Sequence, residues 1–113
     1  MPYIEIKTNI DVSDKSVSLI EKVLGKDIET LPGKSEKWLM INVADNQRMC
    51  FGGSSEPCLI ALVDLYGKCD DKSLDSFTLR LTDLLCGELD IEKERIYVRY
   101  QFTDYWGYAG ENF

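Results

Sequence analysis

Apolar and polar residues alternate from the start of the chain. Ile4 and Ile6 share one parity while Tyr3, Glu5 and Lys7 share the other, so residues 3–8 read as a half-buried strand. Pro2 has the parity of Ile4 and is therefore aimed at the apolar side. A proline is tolerated at a strand's first residue, where no ladder donor is needed. After a turn at 9–11, Ser13 or Asp14 can cap a helix with Val17, Ile20, Leu24, Ile28 and Leu31 on its buried stripe. Gly25 weakens that helix by about 1 kcal/mol relative to alanine, and Pro32-Gly33 ends it.

Residues 38–44 are apolar on both faces, which predicts a central strand. Residues 47–51 read as a short edge strand. A glycine- and serine-rich loop at 52–57 leads to a second central strand at 58–66. A second helix carries Leu74, Phe77, Leu81, Leu84 and Leu85 inward, with Gly87 expected at its end. In 95–102, Ile96, Val98, Tyr100 and Phe102 alternate with Arg95, Tyr97, Arg99 and Gln101, the second set facing outward. The remaining tail is rich in aromatic residues and glycine.

The order strand, helix, strand, short strand thus occurs twice, in halves 1–52 and 57–108 of a single 1–113 domain. Each half is a βαβ unit with parallel strands. The predicted class is α+β: two βαβ units forming a four-stranded mixed sheet with both helices on one face. The other face, bearing Trp38 and Tyr97, is too apolar to leave in water, so assembly with further copies is expected.

Composition narrows the chemistry. The formal charge of −7 argues against a nucleic-acid surface, which needs a basic face. No apolar run approaches the roughly 20 residues of a membrane span, and no secretory signal opens the chain. A cytoplasmic location follows, with any export by a signal-independent route. The four cysteines at 50, 58, 69 and 86 fit no zinc spacing, and no metal or other cofactor is expected. There is no histidine, which excludes the commonest general base and every Ser-His or Cys-His pair.

Another group must therefore titrate near neutrality if this is an enzyme. Removal of Met1 would expose the secondary amine of Pro2. An α-amino group starts from a pKa of about 7.7–8.0, and burial or a nearby cation would lower it further. Met-Pro is also a common start without function. Lys34 lies four residues before Trp38, and Arg99 shares a face with Tyr97. Such pairs bind a carboxylate beside an aromatic ring, although solvated surface charge is the commoner fate of these residues. The Gly52-Gly53-Ser54-Ser55 segment lacks the Gly-Lys-Ser/Thr ending of a phosphate loop and reads as a turn. Residues 92–95 and Asp70-Asp71 read as solvated and helix-cap charges.

The motifs resemble one family across nearly the whole chain. Met1-Pro2 opens a strand ending Thr8-Asn9; Gly33-Lys34 precedes the second strand; and 51–58 read Phe-Gly-Gly-Ser-Ser-Glu-Pro-Cys. Gly67-Lys68, Leu84-Leu85-Cys86-Gly87, Arg95-Ile96-Tyr97-Val98, Gly107-Tyr108 and Asn112-Phe113 complete the match. The chain resembles the macrophage migration inhibitory factor branch of the tautomerase superfamily. The resemblance implies a homotrimer whose sheets wrap into a barrel, with active sites between subunits. It implies a keto–enol tautomerase acting on phenylpyruvate-like aromatic α-keto acids, with dopachrome as a further substrate.

In that resemblance Pro2 is the base and Lys34 binds the substrate's carboxylate or oxygen while keeping the Pro2 amine neutral. Tyr66, Trp38, Trp106, Tyr108 and Phe113 line the pocket, and Tyr97 and Arg99 reach in from the adjacent subunit. The alternative it implies is a secreted, cytokine-like ligand of a cell-surface receptor with a vestigial pocket. Three departures stand out. Arg99 occupies a position that usually carries asparagine, Tyr66 replaces a smaller aliphatic residue, and Ala61 breaks the Cys-x-x-Cys that begins at Cys58. A thiol–disulfide oxidoreductase role is therefore not expected.

Overall fold

β1 (Pro2–Thr8) lies inside the sheet, where its two parities meet different surroundings. Pro2, Ile4, Ile6 and Thr8 are buried and the intervening residues are half-buried. The computed structural model describes residues 1–113. α1 (Asp14–Asp27) follows, then 3-10 turns at Ile28–Thr30 and Glu36–Trp38, then β2 (Met40–Ala44). β3 (Leu59–Tyr66), α2 (Asp71–Leu89), a 3-10 turn at Lys93–Arg95 and β4 (Ile96–Thr103) form the second half. β5 (Gly107–Tyr108) and β6 (Glu111–Asn112) make a small separate hairpin.

The sheet order is β2-β1-β3-β4. β1 pairs parallel with β2, β3 pairs parallel with β4, and β1 and β3 join the halves antiparallel. This is the mixed four-stranded sheet of the sequence reading, with both helices against one face. The core is built from Ile4, Ile6, Ala61 and Val63 of the sheet and Ile20, Leu24, Phe77, Leu81 and Leu85 of the helices, all fully buried. At about 25 cal/mol per Å² of apolar surface, this helix–sheet layer is the main source of stability.

Local chemistry sets the helix ends. The Ser13 side chain accepts a hydrogen bond from the Ser16 amide, and Asp70 accepts one from the Ser73 amide, each satisfying an orphan donor. Gly25 is buried against a neighbour: a Cβ there would collide with the Glu36 carboxylate. The helix therefore gives up propensity at this point to let the 3-10 turn before β2 pack close.

Four expectations are corrected. β2 is an edge strand, not a central one, and begins at Met40 because Glu36–Trp38 coil into a 3-10 turn. No strand forms over 47–51. Gly52 and Gly53 adopt φ of 61° and 76° and reverse the chain, so Phe51 bridges Ser54 within the loop and not the sheet. Gly87 stays inside α2, which stops at Asp90 in the left-handed region with φ 54°. Phe102 has the inward parity but lies on the outer strand and is 42% exposed. The tail gains regular structure: Ala109 and Gly110, both at positive φ, close the β5–β6 hairpin.

Candidate functional site

The start of β1 opens onto a cleft of about 580 Å³. Pro2, Trp38, Trp106 and Tyr108 line it, together with Lys37 and Asp64. The hairpin brings the aromatic wall together. Tyr108 meets Trp38 edge-to-face with ring centres 5.0 Å apart, and it stacks on Phe113 at 6.4 Å. Phe113 in turn lies 6.1 Å from Tyr66, and its amide donates to the Trp106 carbonyl at 2.9 Å. Trp38, Tyr66, Trp106, Tyr108 and Phe113 are therefore assembled by one chain.

Lys34, like Tyr66 and Phe113, is not among the residues that line the cleft itself. Its ammonium donates to the Tyr66 carbonyl at 2.9 Å, and the Tyr66 amide donates to the Met1 carbonyl at 3.2 Å. Pro2 is paired with Leu65, the residue before Tyr66. The Met1 amine is held below its ordinary pKa, first by burial and then by the charge and hydrogen bonding of Lys34, with Cys69 opposing. A buried ammonium loses hydration, and a second cation beside it raises its energy further. The surroundings of the chain's first residue thus favour a neutral amine.

Tyr97 and Arg99 are not brought to this cleft. They pair with Ile60 and Leu62, whereas Pro2 pairs with Leu65. Along β3 the five residues from Ile60 to Leu65 correspond to roughly 16 Å, and the three from Leu62 to Leu65 to roughly 10 Å, at a strand's rise. Both residues face the open side of the sheet, and Tyr97 is 58% exposed.

Sequence reading missed Lys37, Asp64 and Arg95. The Lys37 ammonium lies 5.1 Å from the centre of the Trp38 ring, and its place beside that tryptophan was the available signal. Asp64 has the parity of Tyr66 on β3, which would have placed it on the same sheet face. Arg95 is no solvated charge. Its guanidinium donates to the carbonyls of Phe51, Ser54, Glu56 and Pro57 at 2.9–3.0 Å. Asn9 grips the same loop, donating to the Ser55 and Glu56 carbonyls and accepting from the Cys58 amide at 2.9 Å.

No group of three or more metal-ligating side chains comes together, and no helix is long and apolar enough to cross a membrane.

The profile described as "Macrophage migration inhibitory factor (MIF)" matches residues 1–111. The Brugia malayi "Macrophage migration inhibitory factor homolog" is 35% identical over 100 residues, covering 88% of this chain and 86% of its own. The Xenopus laevis macrophage migration inhibitory factor is 32% identical over 103 residues, with the same coverage of 88% and 86%. Among solved structures, MIF2 of Leishmania major superposes with a TM-score of 0.93 at 26% identity, covering 100% of this chain and 97% of its own. The homologue from Prochlorococcus marinus gives 0.84 at 26% identity, with 98% of each chain covered. With the matched profile spanning nearly every residue and the sheet order, helices and cleft on one scaffold, the chain belongs to the macrophage migration inhibitory factor family of the tautomerase superfamily.

Proposed function

We propose that the protein is a keto–enol tautomerase of phenylpyruvate-like α-keto acids, with the amine of Pro2 as its base once Met1 is removed. The observation that carries this reading is the place of Pro2 in the wall of an aromatic cleft, directly after the Met1 amine that burial and then Lys34 hold below its ordinary pKa. A neutral Pro2 nitrogen takes a proton from the carbon next to the ketone. The C–H electron pair becomes the C=C bond, the carbonyl oxygen gains a proton, and no atom is lost. Such a reaction needs a base near neutrality and a polar group at the oxygen, and it draws on no cofactor.

Loss of Met1 also removes the acceptor of the Tyr66 amide. That N–H then becomes free to meet an anionic oxygen beside the Lys34 ammonium. Trp38, Trp106, Tyr108 and Phe113 suit the aromatic end of the substrate. Dopachrome, with its carboxylate and ring, fits the same chemistry.

The site is completed between copies of the chain in a homotrimer. Tyr97 and Arg99 sit too far along the sheet to reach Pro2 of their own chain. Both lie on an open sheet face that also leaves Met40 67% exposed, and such a face favours burial against a further copy. Arg99 would then add a second cation for anionic substrates.

The test is phenylpyruvate ketonisation by protein whose amino terminus is established by mass spectrometry. Activity should vanish in Pro2→Gly and in protein that retains Met1. Equal activity with Met1 present would overturn the Pro2 mechanism. A second reading, a cytokine-like ligand of a cell-surface receptor, draws on the names of the relatives. It requires receptor binding that survives Pro2→Gly.

A further inference from the structure

The junction between the 51–57 loop and the start of β4 is the most heavily constrained feature that the proposed reaction does not use. Arg95 places one nitrogen on the Pro57 carbonyl at 2.9 Å and one on Phe51 at 3.0 Å. Its third nitrogen serves both Ser54 and Glu56 at 3.0 Å. Every nitrogen of the guanidinium is thus engaged with backbone, and the group lies 5.3 Å from the centre of the Phe51 ring. The other relevant neighbour of Phe51 is Tyr97, with ring centres 4.7 Å apart and planes at 49°.

Tyr97 stands on an outer strand with more than half its surface exposed. A tyrosine so placed would sample several staggered χ1 wells. A ring packed against one side removes some of them, provided that ring is itself fixed. Phe51 exchanges backbone hydrogen bonds only with Ser54 of the same loop, so its place relative to β4 depends on what ties that loop to the rest of the fold. Arg95 supplies that tie. Lysine could not do so, because it lacks the planar fork that reaches several carbonyls at once.

We propose that Arg95 and Phe51 are positioning residues that fix the Tyr97 ring for the site completed by a neighbouring copy. This rests on the reading of Tyr97 as a pocket wall. Arg95 anchors the loop, the loop presents Phe51, and Phe51 orients Tyr97. The order of the ring is set within one chain before any partner arrives.

Two measurements test this, and the first does not depend on catalysis. Three-bond couplings at Tyr97, read by NMR, should report one dominant χ1 rotamer in the parent protein and averaged values in Phe51→Leu and Arg95→Lys. Unchanged couplings in folded variants overturn the proposal. The second is a double-mutant cycle on KM and kcat for phenylpyruvate, with melting midpoints recorded for every variant. Phe51→Leu should raise KM roughly 3- to 10-fold, a coupling typical of contacting side chains, and should add nothing in a Tyr97→Leu background. Arg95→Lys should behave likewise. Equal KM effects in both backgrounds would mean that the loop acts only on stability, and would overturn the proposal. Retained activity in Pro2→Gly would instead strike at the tautomerase reading, leaving the coupling result to judge the positioning.

Discussion

Lys34 donates its ammonium proton to the carbonyl of Tyr66 at 2.9 Å, which fixes a positive charge beside the first amine of the chain. That amine is held below its ordinary pKa by burial and then by Lys34. In Met1-bearing protein the folded state therefore binds fewer protons than the unfolded chain between the lowered value and about 8. Stability should rise with pH across that window, level off above it, and fall as the medium is acidified. Lys34→Ala should narrow the window, read by denaturant unfolding from pH 5 to 9. In Met1-free protein, kcat/KM should rise through a pKa below the ordinary value, and Lys34→Ala should move that pKa upward. A profile indifferent to Lys34 would leave burial as the sole cause.

Phe77 is the largest fully buried side chain in the helix–sheet layer. Truncation to alanine removes its transfer free energy and leaves a cavity between α2 and the sheet. Phe77→Ala should cost about 3–5 kcal/mol, seen as a lower urea midpoint with an unchanged m-value. A loss below about 1 kcal/mol would mean that the core collapses around the gap.

Gly25 and Glu36 make a local trade that can be measured. Alanine at 25 should gain roughly 1 kcal/mol of helix propensity, but its Cβ would displace the Glu36 carboxylate. In a Glu36→Ala background, Gly25→Ala should therefore stabilise by up to about 1 kcal/mol. In the parent it should stabilise less or destabilise. Thermal melts of the four proteins complete the cycle, and additivity would show that Glu36 moves aside without cost.

The contrast between what was legible and what was not follows from range. Ile4, Ile6, Ile20, Leu24, Phe77 and Leu81 announce themselves by period, because burial of one face repeats at 2.0 or 3.6 residues. The loop at 47–57 carries no period. Its shape depends on Asn9 and Arg95, about 40 residues away on either side, so local propensity suggested a strand that tertiary hydrogen bonds replaced. β2 misled for a related reason. Its two apolar faces promise burial, but within one chain it has a partner on one side only. Of the candidate site, the place of Pro2 on the buried side of β1 follows strand parity. The gathering of Tyr108 and Phe113 needed the hairpin, whose two-residue turn at Ala109-Gly110 was not recognised.

Asn9 offers a direct probe of the loop. Its amide donates to the Ser55 and Glu56 carbonyls and, at 3.5 Å, to that of Met49, and its oxygen accepts from the Cys58 amide. Asn9→Asp keeps the acceptor but turns the donor into a second oxygen facing carbonyls. It should destabilise by about 1–3 kcal/mol at neutral pH. Those carbonyls disfavour the charged form, so the folded state raises the new carboxyl's pKa. The penalty should therefore shrink as pH falls toward 4, measured against the parent at each pH. A constant penalty would place the introduced carboxylate in solvent.

The sheet order has a kinetic corollary. Pro2 pairs near one end of the central β3 strand, Tyr97 near the other and Arg99 at its middle. On the proposed reading no lone chain then holds a finished pocket, and turnover per chain becomes a property of the population. Specific activity should decline on dilution below the dissociation constant of the assembly and recover on concentration, whereas an ordinary monomeric enzyme keeps the same specific activity throughout.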